Sequence, residues 1–492
     1  MGKGDVKVNV FVHKEDQYSK LSTVSADSLV LFYHERKEIS EGMTALDQAL
    51  GGELTALFAE EEATGKANSV VHVRSNGRIA AKHLYLVGLG KKDDLNAEVV
   101  RKAAGTASRS VLGDHVAAAT PAEYAAAVTE GFLMGRYAYH NHKSEPEADK
   151  RFTTLAIVTP GDVQAEVEAA RIDAEAVNLA RDLTNMPANL LDPVIFADKS
   201  VELGTAAGLE VEVLDEVKLQ ELGMNLLWSV GKGSEIPPRL VVLRYSGAPE
   251  SQEVLGLVGK GVTFDTGGYI LKPENGMGDM KTDMGGAACV LGAMRAIAQR
   301  GLKLNAIGIL VLAENMVSGS AFKPGDVAVA FNGKTVEMID TDCEGRLVLA
   351  DGIAYVKHLG ATKIVDTATL TGAVTVVLGN EAASLYGNDD AWVEEVKQAG
   401  AEAGERLFPL PNYPEYQKLI ESSIADYINY SYRNAASIAG GVFLAAFADG
   451  VPFVHIDMAN VSKAKKTNGY IVEEATGFST RSLIKVAERL AK

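Results

Sequence analysis

A chain of 492 residues, 47% apolar and 23% charged, has room for about two to four domains and the proportions of a protein that folds around a core. Its formal net charge of −17 opposes binding to nucleic acid phosphates and anionic membrane surfaces. No run of about 18 uninterrupted apolar residues is present to span a bilayer.

The N-terminus, MGKGDVKVNVFVHKED, lacks the apolar core of a signal peptide, and Val6 stands where a myristoylation signal needs Ser or Thr. Residues 6–13, VKVNVFVH, alternate as a strand does, and SLVLFYHE, SVVHVRS and HLYLVGLG read as further strands. Residues 94–111 and 121–139 read as helices. This alternation predicts a smaller N-terminal α/β domain over 1–160. Its end carries a polar boundary loop at 142–152, containing Pro146, and a strand at 153–159. A linking helix is expected over 161–186. It stops at Asn185-Met-Pro-Ala-Asn189, because the residue before a proline disfavours helix.

Over 187–492 the strand candidates LEVEVLDE, RLVVLRYSG, VLGLVGKG, LNAIGILVLAEN, TKIVDTATL and FVHIDMAN alternate with helices at 280–300, 347–358, 391–404 and 479–491. Several strands are unbroken apolar runs, as in a sheet covered on both faces. The expected fold is α/β in two domains. The larger C-terminal domain is expected to have a mixed, largely parallel central sheet covered by helices, with functional residues at the carboxyl ends of its strands. No internal repeat interrupts this pattern. The two cysteines, Cys289 and Cys343, are too few for a disulfide framework and fit a reducing cytoplasm.

Residues 340–347, Asp-Thr-Asp-Cys-Glu-Gly-Arg-Leu, carry the densest chemistry. In an extended segment Asp342, Glu344 and Arg346 would share one face. Two carboxylates that close repel unless a cation lies between them. The triplet therefore reads as a divalent-metal site whose arginine holds an anion, or as a solvated charged turn. A second constellation follows the buried run VLGLVG: Lys260, Asp265, then Lys272 after a short loop, and Asp283 in the next helical stretch. Gly259, Gly261, Gly267 and Gly268 permit tight turns and close backbone approach, but their spacing does not match a phosphate loop. Taken singly, Lys260 reads equally as a surface lysine, and Asp283 as a charge at a helix N-terminus.

Together, Asp265, Asp283, Asp342 and Glu344 supply four negative charges, the formal balance of two divalent cations. Lys260 can join them only as a neutral ligand. Beyond residue 142 the only histidines are His358 and His455, so no H-E-x-x-H pair exists there. A carboxylate-rich set suits Mn²⁺, Mg²⁺ or Zn²⁺. His455 reads as a core histidine, and Cys343 as a packed thiol turned away from its neighbours by alternation.

The stretches VGKGVTFDTGG with ILK, MKTDMGGAA, ENMVSGSAFKPGD, DTDCEGRL and VDTATLTGA resemble, in order and spacing, the leucyl (cytosol) aminopeptidase family of two-metal exopeptidases. The resemblance runs through most of residues 165–492. It implies that Asp265 and Glu344 bridge both metals, that Lys260 and Asp283 bind one, and that Asp342 binds the other. It makes Lys272 and Arg346 the catalytic residues, Lys272 facing the oxyanion and Arg346 holding a bicarbonate that relays protons. Thr369, Leu370 and Gly372 fall where the family contacts substrate, and Met280 where it lines the pocket for the first side chain.

The implied enzyme is a cytoplasmic, homohexameric aminopeptidase of 187–492 catalytic domains, releasing leucine and other apolar N-terminal residues in peptide turnover. Two ions per subunit are implied, Mn²⁺ or Zn²⁺, with Mg²⁺ or Co²⁺ as alternatives. The chain departs from the family at Asp340 (usually Asn), Cys343 (usually Ala), Thr266 (usually Ser) and 435–441, AASIAGG. No implied ligand is lost, so these departures bear on metal preference and selectivity. A two-metal phosphoesterase, a DNA-binding regulator on an aminopeptidase fold and a homologue with a dead site are the competing readings; the acidic charge opposes the second and the intact set of seven site residues the third.

Overall fold

The computed structural model describes residues 8–15, 18–139, 142–144, 151–432 and 434–492. The chain forms two compact units, 1–175 with 464–473, and 176–463 with 474–492. Residues 6 and 7 of the expected first strand and 145–150 of the expected boundary loop lie outside the described residues.

The first unit is built on strands β1 (Asn9–Lys14), β2 (Ser28–Tyr33), β3 (Val70–Arg74), β4 (His83–Gly88), β5 (His115–Ala119) and β6 (Thr154–Thr159). They form one sheet in the order β1-β6-β5-β2-β4-β3, parallel except for β3 against β4. On one face Leu29, Leu31, Leu84 and Leu86 share a core with Leu46, Leu54 and Phe58 of two short helices, Thr44–Ala49 and Glu53–Ala59, and with Leu50 between them. Sequence reasoning missed these helices, because Gly51 and Gly52 cut the apolar period into pieces too short to read. Helix Ala97–Ser110 starts where Asn96 Oδ1 accepts from the Glu98 and Val99 amides, at 3.0 Å each. The helix expected over 121–139 is shorter, Ala125–Gly135, entered through a 3₁₀ turn.

Helix Gln164–Asn185 leads into the second unit. Strands β7 (Glu210–Leu214), β8 (Arg239–Ser246), β9 (Val254–Asp265), β10 (Asn305–Asn315), β11 (Asp326–Val329), β12 (Thr335–Met338), β13 (Lys363–Ala368), β14 (Ala383–Gly387), β15 (Leu407–Pro409), β16 (Tyr427–Ile428) and β17 (Phe453–Asp457) follow. Eight of them form a mixed sheet, β15-β14-β17-β13-β9-β10-β8-β7, and β11-β12-β16 form a small second one. The centre of the large sheet, β17-β13-β9-β10, is parallel; β14, β8 and β7 run against their inner neighbours. Val258 and Val262 of β9 and Ile309 and Val311 of β10 share a core with Leu347 and Val348 of helix Glu344–His358. Helix Gly285–Gln299 also lies against β9. A Cβ on Gly259 would sit 2.6 Å from Ala287 Cα, so the strand–helix approach requires glycine there.

Several features of this unit differ from expectation, among them one helix and one segment of the charged cluster. Helix Pro193–Ala206 was missed, although Asp192, whose Oδ1 accepts from the Ile195 amide at 2.8 Å, and Pro193 form a readable helix start. The segment 342–346 is not extended, since a helix begins at Glu344 rather than 347. Among the described residues no helix is long and apolar enough to cross a membrane.

Candidate active site

Strand β9, at the middle of the sheet, delivers Lys260 and Asp265. Five positions apart, they would point to opposite faces of a regular strand. The register against β10 slips between Ala313 and Glu314, leaving Thr263 as an extra residue on β9. This bulge reverses the alternation, so both side chains reach the same side. Asp283 follows the 3₁₀ turn Gly278–Thr282, and Glu344 opens helix Glu344–His358.

The result is a chain of alternating charges. Lys260 Nζ lies 2.8 Å from Asp283 Oδ2 and 2.9 Å from Glu344 Oε1, and donates to the Thr369 carbonyl at 3.0 Å. Lys272 Nζ lies 2.7 Å from Asp265 Oδ2 and 2.6 Å from Asp342 Oδ1. Asp265, Asp342 and Glu344 each offer an oxygen within 4.8 Å of the others. Lys260, Asp265, Asp283 and Glu344 are buried, while Asp342 is partly open to solvent.

Burial alone would lower the Lys260 and Lys272 ammonium groups, but the surrounding carboxylates outweigh it and hold both above the usual lysine range. Burial, together with crowding by other carboxylates, pushes Asp283 and Glu344 up, and Asp342 in the same direction. A group of carboxylates so placed is short of positive charge.

The extended reading of 342–346 fails for a local reason. Asp340 Oδ1 accepts from the Asp342 amide at 2.8 Å, turning the chain before Glu344 starts the helix. Successive helical residues are rotated by about 100°, so Arg346 points about 200° away from Glu344. Asp342 and Glu344 converge with Asp265, while the buried Arg346 guanidinium reaches toward Leu370 and Gly440. A Cβ on Gly440 would lie 3.0 Å from Leu370 Cδ2 and 3.8 Å from Arg346 Nη2. Arg346 Nε and Nη1 have no hydrogen-bond partner. A buried guanidinium in that state is suited to an anion.

Thr369 belongs to the cluster, its hydroxyl donating to Asp283 Oδ1 at 2.6 Å. The Leu370 and Thr371 amides donate to Asp457 Oδ1 at 3.2 and 3.3 Å. Met280 is half-buried, its carbonyl accepting from the Asp283 amide at 3.3 Å, and Gly372 is exposed at the start of helix Ala373–Leu378. Among the described residues no hydrogen bond ties the Met280 side chain or Gly372 to the carboxylates. His455 is buried outside the cluster, with Nδ1 2.8 Å from Asp366 Oδ2.

Sequence reasoning missed the side chains that hold this site in place. Asn315 Nδ2 donates to Asp265 Oδ1 at 2.8 Å and to the Thr341 carbonyl at 2.9 Å, joining the ends of β9 and β10 to the Asp342 turn. Asn429, fully buried, accepts from the Ile339 amide at 2.8 Å and donates to the Asp340 carbonyl at 2.7 Å. Asn315 lies in ENMVSGSAFKPGD, so its position was marked although its role was not.

The sequence matches the pattern of the cytosol aminopeptidase family, catalytic domain, over residues 178–484, and that of the family's N-terminal domain over 29–146. It is 38% identical to "Probable cytosol aminopeptidase" of Alkaliphilus metalliredigens (strain QYMF), covering 96% of this chain and 98% of the relative. Identity to the protein of the same description from Bacillus subtilis (strain 168) is 36%, again covering 96% and 98%. The solved structure "Bottromycin maturation enzyme BotP in complex with Mn" superposes with a TM-score of 0.85 at 34% identity, covering 95% of this chain and 100% of that one. The chain therefore belongs to the cytosol aminopeptidase family, and is a peptide hydrolase of the aminopeptidase kind.

Proposed function

We propose that the chain is a two-metal aminopeptidase of cytoplasmic peptide turnover that prefers leucine and other apolar N-terminal residues. The observation that carries this reading is the convergence of Asp265, Asp342 and Glu344 within 4.8 Å, with Asp283 across Lys260. Carboxylates at that separation need cations among them, and the Lys260 and Lys272 ammonium groups offset only part of the four carboxylate charges. The donor set fits divalent ions; by the family resemblance Asp265 and Glu344 would be shared between two, with Lys260 and Asp283 serving one and Asp342 the other. Mn²⁺ and Zn²⁺ come first, supported by the Mn of the BotP complex, with Mg²⁺ or Co²⁺ compatible with oxygen ligands.

Such ions would polarise the scissile carbonyl and activate a water. The chain's own residues do the rest. Lys272, kept charged, stabilises the negative charge that develops on the carbonyl oxygen. Arg346, through its unpaired Nε and Nη1, would hold a small anion, bicarbonate by family resemblance, which would supply the proton relay in place of a protein base. Thr369 and Leu370 line the approach, with Gly372 and Met280 assigned to substrate by the same resemblance. A homohexamer is proposed as well, a reading supported by Leu271, Val376 and Val377, which are 61%, 89% and 60% exposed.

Hydrolysis of leucine p-nitroanilide and of p-nitrophenyl phosphate, before and after chelation and Mn²⁺ repletion, tests the proposal. Anilide cleavage that is lost on chelation and restored by Mn²⁺ is expected. Cleavage of the phosphate ester alone would replace this reading with a phosphoesterase.

A further inference from the structure

The first unit contains a cavity of about 280 Å³ that the hydrolytic site does not use. It lies at the carboxyl ends of β5, β2 and β4, next to Leu31, Leu89 and Ala119. From β2 the chain passes outward to β3 and β4 on one side, then crosses to β5 on the other. In open α/β sheets such a reversal of strand order leaves a crevice at the strand ends, where ligands bind.

The lining is mostly apolar, with Leu21, Phe32, Val100 and Tyr124 among its walls. Arg36 is the one charged side chain among the described lining residues. Its Nε is shielded from solvent and has no hydrogen-bond partner, and the same is true of Nδ1 of the neighbouring His34. Buried polar atoms are normally paired, so each unpaired one in a native fold calls for a cause. Here both sit on the wall of a cavity far larger than the water-sized voids that close packing leaves.

We propose that this cavity is a second ligand site that takes a small monocarboxylate with an aryl or branched alkyl body. The carboxylate pairs with Arg36, assisted by His34, and the body fills the apolar floor. The volume sets the size. A cavity of about 150 Å³ holds benzene, so this one holds a body of about ten to twelve non-hydrogen atoms. A single guanidinium matches a single negative charge. Among the described lining residues there is no carboxylate, so the α-ammonium of a free amino acid would find no opposite charge there.

Calorimetric titration of the full-length protein with 3-phenylpropionate, and with its neutral amide, tests the proposal. Saturable binding of the acid at one site per chain is expected. Arg36→Gln weakens it by about tenfold or more, as loss of a charge-assisted pair does, and the amide binds correspondingly less well. Ala119→Leu, which narrows the cavity without touching Arg36, also weakens it, whereas Lys272→Ala leaves it unchanged. Absence of saturable binding, an affinity that Arg36→Gln does not alter, or loss in Lys272→Ala would each overturn the assignment, the last by moving the site to the hydrolytic centre.

Discussion

At the scale of single residues, the proposed site gives two lysines different tasks. Lys260 is enclosed, with Nζ 2.6 Å from where a Cβ on Gly345 would stand, so only glycine at 345 leaves room for it. Gly345→Ala is expected to displace Lys260 and weaken metal binding, read as a higher Mn²⁺ concentration for half-maximal activity. Lys272 reaches the cluster from a loop and remains partly exposed. Lys272→Ala is expected to lower kcat by about 10²–10³ with metal content retained, since an oxyanion donor acts on the transition state. Loss of metal in that variant would make Lys272 a structural counter-ion instead. Cys289 gives a pH prediction. Burial pushes its thiol up to about 11, and Sγ donates to the Phe478 carbonyl at 3.1 Å. Iodoacetamide at pH 8 should leave Cys289 unmodified in the folded protein and alkylate it after denaturation, because the thiolate is the reactive form.

At the scale of elements, helix Glu344–His358 does more than present Glu344 and Arg346. Its buried Asp351 accepts from the Leu227 amide at 2.9 Å and the Phe331 amide at 2.8 Å, tying a short helix and a loop to the core. Asp351→Ala would leave two buried amides unpaired, and should cost about 2–4 kcal/mol in urea unfolding. Burial raises this carboxyl to about 7, against 3.8 for an ordinary one. The unfolded chain releases the proton near 3.8 and the folded one near 7, so the stability this group adds is full below about 4 and falls as pH rises toward 7. The wild type should therefore exceed Asp351→Ala by more at pH 5 than at pH 8.

The same helix shows what sequence can and cannot convey. Its body, LVLADGIAYVKH, carries a readable apolar period, but its first turn is Glu-Gly-Arg, which no periodicity marks. Alternation therefore suggested a strand and put Glu344 and Arg346 on one face. The bulge at Thr263 was equally hidden, because nothing in GVTFD signals an extra residue. Helix Ala436–Ala445 was invisible because it is apolar all round and interrupted by two glycines. The carboxylates and lysines were legible as motifs, whereas Asn315 and Asn429 were isolated polar residues whose partners lie far away in sequence.

At the scale of the whole molecule, the family match places the chain among cytosol aminopeptidases, and its acidic net charge opposes binding to nucleic acid phosphates. The proposed assembly predicts a light-scattering mass of about six chains of 52.2 kDa each, and a single-chain mass would rule it out. Substituting Val376 and Val377 by aspartate should shift that mass downward if those exposed valines are covered by a neighbour. The central claim is that the buried carboxylates form a two-metal hydrolytic centre. Metal content and leucine p-nitroanilide hydrolysis, measured together on the Mn²⁺-reconstituted wild type and Asp265→Ala, test it most directly. The account predicts two ions per chain and turnover in the wild type, with metal and activity both lost in the variant. Full metal occupancy with undiminished activity in Asp265→Ala would contradict it.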